Sequence, residues 1–254
     1  MQQYDIAAKA LIDTCRDDII RYLMELPVSN SRLMEPLPQE TVSMKRSDYP
    51  ILITDDAGGE QLIVIEIHIE WRRTVPLNLL DYRVRYLLKH NVEAITCVLL
   101  LRPSGSATDR YEDREVRFRY RLVKIYEMDA RAIVSEGPLC MLPFVPLMKG
   151  GAEYLDEAET LIYGSERTRP EKADMLTSMA ILSGLISADI PARLISRRKD
   201  IIMESAAYDI IKKEVKRDTA KNLLLLDVLT DEQIAQAAEM SIEEVRRLKQ
   251  ELGR

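Results

Sequence analysis

Apolar and polar residues recur along this chain with two different periods, and the change of period divides it. Between residues 4 and 26, Ile6, Ala10, Leu11, Ile19, Leu23 and Leu26 recur at helical spacing, and Pro27 closes the pattern, which predicts an amphipathic helix. Leu33 to Val42 is interrupted by Pro36 and Pro38, as suits an extended segment at a sheet edge. Tyr49 to Thr54 reads as a strand, Asp55-Asp56-Ala57-Gly58-Gly59 as a turn, and Gln61 to Glu70 as the returning strand of a hairpin. Pro76 opens a predicted helix reaching about His90, with Leu79, Leu80, Val84, Leu87 and Leu88 as its apolar stripe. Ala94 to Leu101 is a near-continuous apolar run of the kind found in central strands. Val116 to Met128 alternates again, with Phe118, Tyr120 and Leu122 opposing Arg117, Arg119 and Arg121.

The returning strand of the hairpin changes character along its length. Ile63, Ile65, Ile67 and Ile69 share one face. The other face begins with Leu62 and Val64 and continues with Glu66, His68 and Glu70. A strand that is simply half-exposed is polar along one whole face. This one is expected to be buried at its start and to open into a cleft at its end.

The order of helix, strands, helix, strand and strand predicts an α/β fold. Leu142-Pro143-Phe144-Val145-Pro146 and Gly150-Gly151 mark a change, and a boundary is placed there. Residues 1–150 form the expected α/β unit. Residues 151–254 read as short helices without strands, broken near Gly164, Pro170 and Pro191. Thr230-Asp231-Glu232-Gln233 and Ser241-Ile242-Glu243-Glu244 each fit a capping box, so the chain closes on two short helices in a helix-turn-helix-like arrangement. Arg246, Arg247 and Lys249 on the second helix suit DNA, whereas Glu243 and Glu244 suit a hairpin packed on the body or on another chain.

Composition is that of an ordinary globular protein: 254 residues, 46% hydrophobic and 31% charged. A net charge of −6 excludes a chain coated in basic surface, though not a local basic cleft. No apolar run is long enough to span a bilayer, and the first residues lack the basic start and apolar block of a secretory leader. Cys15, Cys97 and Cys140 are far apart, odd in number and set among apolar neighbours. They are expected to be buried reduced thiols in a cytoplasmic protein. No phosphate-cradling glycine motif, nucleophile elbow or zinc spacing occurs.

The candidate chemistry lies between Met44 and Trp71. Asp48 opens one apolar strand, and Glu66-Ile67-His68 closes the next. Two carboxylates at the ends of neighbouring strands, with a backbone carbonyl, can hold a hard cation against a phosphate. Glu66 sits between Ile65 and Ile67, where an unpaired carboxylate is costly. An ion pair with Arg72, Arg83 or Lys9 is the competing use for it. His68 is equally readable as a structural histidine. Arg72 and Arg73, directly after the strand, suit phosphate contacts, and Tyr82 and Arg83 on the next helix suit the cleft wall. Arg117, Arg119 and Arg121 form one strand face that suits a backbone-binding strip, yet nearby Glu112, Asp113 and Glu115 favour a solvated face with ion pairs, and Trp71 reads as packing.

These residues resemble the core of the PD-(D/E)XK nuclease superfamily, in which an Asp on one strand and a Glu on its neighbour bind a metal and a Lys follows the Glu by two positions. Here that position is His68. Tyr4-Asp5 with Lys9, Arg46-Ser47-Asp48, Glu66-Ile67-His68, Asp81-Tyr82-Arg83 and Met203-Glu204-Ser205-Ala206-Ala207-Tyr208-Asp209 are similar to the recombination-promoting nuclease/transposase group of that superfamily. Its members more often carry Gln or Lys at the position of His68.

The resemblance implies a restriction-endonuclease-like mixed sheet flanked by helices, with an all-helical C-terminal extension. It implies metal-dependent DNA endonuclease activity linked to recombination or mobile elements. Asp48, Glu66 and the Ile67 carbonyl would bind Mg²⁺ (or Mn²⁺), His68 would orient or deprotonate a water, and Asp5 would reach the cleft. DNA is the implied partner and a homodimer the implied assembly. An imidazole does not reproduce a permanent ammonium charge, so a nuclease-fold protein that binds DNA or assembles without cutting is the alternative.

Overall fold

The computed structural model describes residues 2–34, 49–226 and 229–251. Asp48 and the side chain of Asp5 lie outside the described residues. The first helix, α1 (Gln2–Met24), is followed by three antiparallel strands, β1 (Asn30–Leu33), β2 (Tyr49–Thr54) and β3 (Glu60–His68). The β2–β3 turn forms as expected. Asp55 Oδ1 accepts from the backbone N–H groups of Ala57 and Gly59 at 2.9 and 2.7 Å, and Gly58 takes φ +82°. Helix α2 (Val75–His90) then carries the chain across to β4 (Ala94–Leu100), parallel to β3 from Leu62↔Ala94 to His68↔Leu100. Such parallel pairing needs a crossover of this length.

The expected strand from Val116 to Met128 is broken at Tyr120. Its first part, β6 (Arg117–Arg119), pairs with β5 (Arg110–Glu112) in a separate ribbon. Its second part, β7 (Arg121–Lys124), joins β4 in parallel from Cys97↔Arg121 onward. The main sheet is therefore mixed and five-stranded, in the order β1-β2-β3-β4-β7.

The alternation read in the sequence sets the two faces. Ile51, Ile53, Ile63, Ile65, Cys97 and Leu99 point into the largest core, beneath α1. Leu62 and Val64 pack against Tyr82 and Tyr86 of α2, and Val98 and Leu100 against Val75 and Leu79. The buried stripe of α2 is thus Val75, Leu79, Tyr82 and Tyr86, whereas Val84, Leu87 and Leu88 are exposed. The expected stripe holds at Leu79 and, half-buried, at Leu80, because the helix carries two equally periodic apolar sets and the tyrosine rings take the inner one.

After α3 (Ala130–Glu136), Leu139–Leu147 forms a 3₁₀ segment whose Pro143 and Pro146 are incompatible with a continuous α-helix. It is buried from Cys140 to Leu147 and fills the space between α1, α4 (Gly151–Gly164) and α5 (Arg169–Ser183). The largest core consequently crosses position 150, joining Ile12 and Phe144 to Leu155, Met179 and Ile202. Helices α6 (Asp189–Arg197) and α7 (Lys199–Ile202) cover it. Inside it, Glu159 of α4 is fully buried between Arg197 (2.7 Å) and Arg198.

Helices α8 (Ala206–Leu226), α9 (Asp231–Ala237) and α10 (Ile242–Glu251) build a small core of their own from Ala220, Leu224, Ile234, Val245 and Leu248. Both capping boxes are made, at Thr230 with Gln233 and at Ser241 with Glu244. Among the described residues, no helix is long and apolar enough to cross a membrane.

The cysteines depart from expectation. Cys15 of α1 and Cys140 of the 3₁₀ segment form a disulfide, with Cα atoms 5.5 Å apart across 125 positions. Only Cys97 is a buried free thiol. The pairing is tertiary and leaves no local trace in the sequence. With it goes the support that three reduced thiols lent to a cytoplasmic location.

Candidate functional site

The C-terminal ends of the parallel strands β3 and β4 lie together, the place where open α/β sheets commonly receive ligands. β3 is buried from Leu62 to Glu66 and half-buried at Ile67 and His68, so it opens outward as its alternation predicts. Glu66 shares the α2 face with Leu62 and Val64 and is only 6% exposed. His68 follows on the same face, with Nε2 3.7 Å from Glu66 Oε2. That separation is longer than a direct hydrogen bond. The described hairpin register closes with Tyr49 opposite Ile65, immediately before Glu66.

A pocket of about 780 Å³ opens beside His68. One wall is the turn into α2, with Arg72, Thr74 and Asn78. Arg102, which follows β4, stands across from them, and Tyr4 of α1 and Gly184 after α5 close the remaining side. A Cβ on Gly184 would lie 3.2 Å from the Tyr4 hydroxyl, so a side chain there would press on the tyrosine tip. The helical half of the chain therefore supplies part of the wall.

The electrostatics of the α2 wall favour an anion. α2 has 16 residues, no acidic side chain in its first turn, and no side-chain cap from Thr74. Val75 N–H is spent on the Arg72 carbonyl, Asn78 N–H on the Thr74 carbonyl, and Pro76 has none, so what this helix end offers the pocket is the positive end of its dipole. Arg72 adds a guanidinium at the same end. Glu70 opposes Arg102 only loosely, at 4.0 Å.

Of the residues singled out from the sequence, Ile67, His68 and Arg72 line the pocket, with Arg73 exposed next to Arg72, while Glu66 is buried beside His68 and does not line it. Two others lie elsewhere. Tyr82 is 2% exposed and packs beneath β3, so its ring is a core element and does not reach a strand of nucleic acid. Arg83 donates to the carbonyl of Ala94 at the opposite end of the sheet, so it neither lines this pocket nor neutralises Glu66. The sequence marks Tyr4 only through its motif and gives no sign of Thr74, Asn78, Arg102 or Gly184 as wall residues. The nearest signal is that polar residues beside Pro76 mark a helix start next to the strand end.

The donors fit a hard cation in part. Glu66 and the Ile67 carbonyl are suitable oxygen ligands, and His68 is a nitrogen donor of the second rank for Mg²⁺. Among the described residues, no group of three or more His, Cys, Asp or Glu side chains is spaced to hold a metal ion. The second carboxylate of the expected pair, Asp48, and the expected water-orienting Asp5 lie outside what is described.

The helix-turn-helix-like end has the expected shape with a different use of charge. Lys249 of α10 is bound to Asp231 at 2.9 Å, and Arg246 lies 3.7 Å from Asp231 and 3.9 Å from Glu232. These cations face α9, which favours the packed-hairpin reading over contact with DNA. Trp71 stacks on Tyr120, as packing.

No protein-family profile, curated protein or solved structure matches this chain.

Proposed function

We propose that this chain is a metal-dependent DNA endonuclease whose reaction centre is Glu66 and His68 at the mouth of the His68–Arg72 pocket. The observation that carries the reading is a buried carboxylate, 3.7 Å from an imidazole that lines a pocket with an arginine. A buried carboxylate is a strong ligand because little water competes for it. The N-terminus of α2 and Arg72 suit a phosphodiester, which carries the charge they would neutralise. Glu66, the Ile67 carbonyl and Asp48 would hold Mg²⁺ or Mn²⁺, which when bound neutralises the scissile phosphate and acidifies water. His68, at the rim, accepts a proton from the attacking water while its ring is neutral. Arg72 and Arg73 fix the backbone of the strand without reading its sequence. A role in recombination or mobile elements, and a homodimeric assembly, follow from the sequence resemblance.

One observation favours a second reading. His68 stands where the resembling group carries Lys or Gln. A protein that retains the pocket for binding DNA without cutting it is consistent with that substitution.

The deciding experiment is plasmid nicking with Mg²⁺ and Mn²⁺, with and without a chelator. Glu66→Ala is expected to abolish cleavage, and His68→Ala to slow it by roughly 10²-fold or more, the ordinary contribution of a positioned base. Cleavage that survives Glu66→Ala removes this site from the reaction. Chelator-sensitive DNA binding without any nicking selects the second reading.

A further inference from the structure

The other end of the sheet holds a second, differently charged recess. β7 pairs with β4 only from Cys97 onward, so Ala94, Ile95 and Thr96 have no strand neighbour on that edge. The chain just before β7 turns away into the β5–β6 ribbon. A notch of about 550 Å³ is left between them, and four arginines line it: Arg83, Arg117, Arg119 and Arg121. Among the described residues, no carboxylate lines it.

The four side chains arrive from different directions. Arg83 comes from α2 on one face of the sheet and is held by the Ala94 carbonyl. Arg121 comes from the α1 face and is held by the Met24 carbonyl at the end of α1. Each anchoring bond uses one of five N–H donors and leaves the rest of the fork unspent. Arg117 and Arg119 stand outward on β6, because the alternating Phe118 and Tyr120 turn inward. Arg117 meets Glu112 at 2.8 Å on an exposed surface, where such a pair is weak and readily exchanged. Among the described residues, Arg119 has no hydrogen-bond or ion-pair partner.

Four guanidinium groups around one recess repel one another, and in a chain of net charge −6 the clustering is not a by-product of composition. An anion relieves that repulsion. Arginine forks match phosphate oxygens in pairs, which a spherical cation does not. The recess is open, so the phosphate need not be a free small molecule.

We propose that this arginine notch binds the phosphate backbone of a nucleic-acid strand, as an anchoring site separate from the Glu66 pocket. The Ala94 level of the sheet is four residues before the Glu66 level on β3, about 13 Å along the strand. That the strand is a nucleic acid rests on the reading of the Glu66 pocket; the anion preference of the notch does not.

The test is fluorescence anisotropy of short labelled single-stranded and duplex DNA in a chelating buffer, across a salt series. The double variant Arg117→Ala/Arg119→Ala removes two exposed side chains and is expected to keep the wild-type thermal transition. It should weaken binding on the order of tenfold and lower the salt slope by about 2. Arg119→Glu should weaken it further. Unchanged affinity and slope in the double variant overturn the proposal. So does displacement of bound tripolyphosphate from the notch by neither DNA form, which assigns it to small phosphates. Loss of binding in the double variant, with no nicking by wild type, keeps the notch and removes the nuclease reading.

Discussion

Cys97 shows what burial does to one group. Its thiol is inaccessible, and burial pushes its pKa from 9.0 up to about 12, although Arg121 pulls the other way. The folded chain holds the thiol neutral where the unfolded chain ionises it. The contribution is therefore constant below pH 9.0 and is lost as pH rises from there toward about 12. Between about pH 8 and about pH 10, wild type should lose roughly 1 kcal/mol more than Cys97→Ala, read from urea midpoints at each pH. At this scale the sequence was informative where neighbours on both sides constrain a residue. Glu66 lies between two isoleucines on a strand, and its burial was legible for that reason. Tyr82 and Arg83 are adjacent on a helix, 100° apart by helical geometry, so they could not serve the same surface. The sequence does not say which of them faces inward, since a tyrosine can bury its ring and an arginine can lie along a surface.

At the scale of the element, the β2–β3 turn was readable because its chemistry is local. Gly58 has φ +82°, and a Cβ there would meet nothing within 4 Å, so any cost of substitution comes from the backbone alone. Gly105 also has open space, without a positive φ. Gly58→Ala should therefore destabilise by about 1 kcal/mol, while Gly105→Ala is neutral or stabilising by about 0.4 kcal/mol. Urea unfolding of both variants checks this, and an equal response would remove the conformational argument. Elements set by distant partners were less legible. The alternation from Phe118 to Leu122 is continuous, yet the strand breaks at Tyr120 because β5 claims one half and β4 the other. The 3₁₀ segment at Leu139–Leu147 has no periodicity to detect, since it is buried on every side.

At the scale of the whole molecule, the α/β class was legible in the order of periodic segments, together with the strand-free C-terminal stretch, whereas the mixed sheet was expected only from the resemblance. The shared core across position 150 was not, because contacts such as Ile12 with the α5 layer lie far apart in the chain. Glu159 tests how strongly that shared layer depends on one ion cluster. Its carboxylate is fully buried with Arg197 and Arg198, and Arg198 also lies 3.9 Å over the Tyr163 ring. Glu159→Ala takes the buried partner from two arginines that themselves reach solvent and should cost about 1.5–3 kcal/mol, the worth of a hydrogen bond to a charged group. Asp156→Ala, which removes an exposed partner of Arg197, should change stability by less than about 1 kcal/mol. Chemical denaturation of the two variants separates them, and similar losses would show that the cluster acts as a surface network.

The Cys15–Cys140 bond gives the molecule an unequal response to tension. Every strand of both sheets lies between those two cysteines in the chain. Pulled by its two ends, the oxidised protein passes the load through sulfur and leaves the strands slack. Only the turns of α1 before Cys15 and the chain beyond Cys140 can then be drawn out, and reduction hands the same load to the sheet.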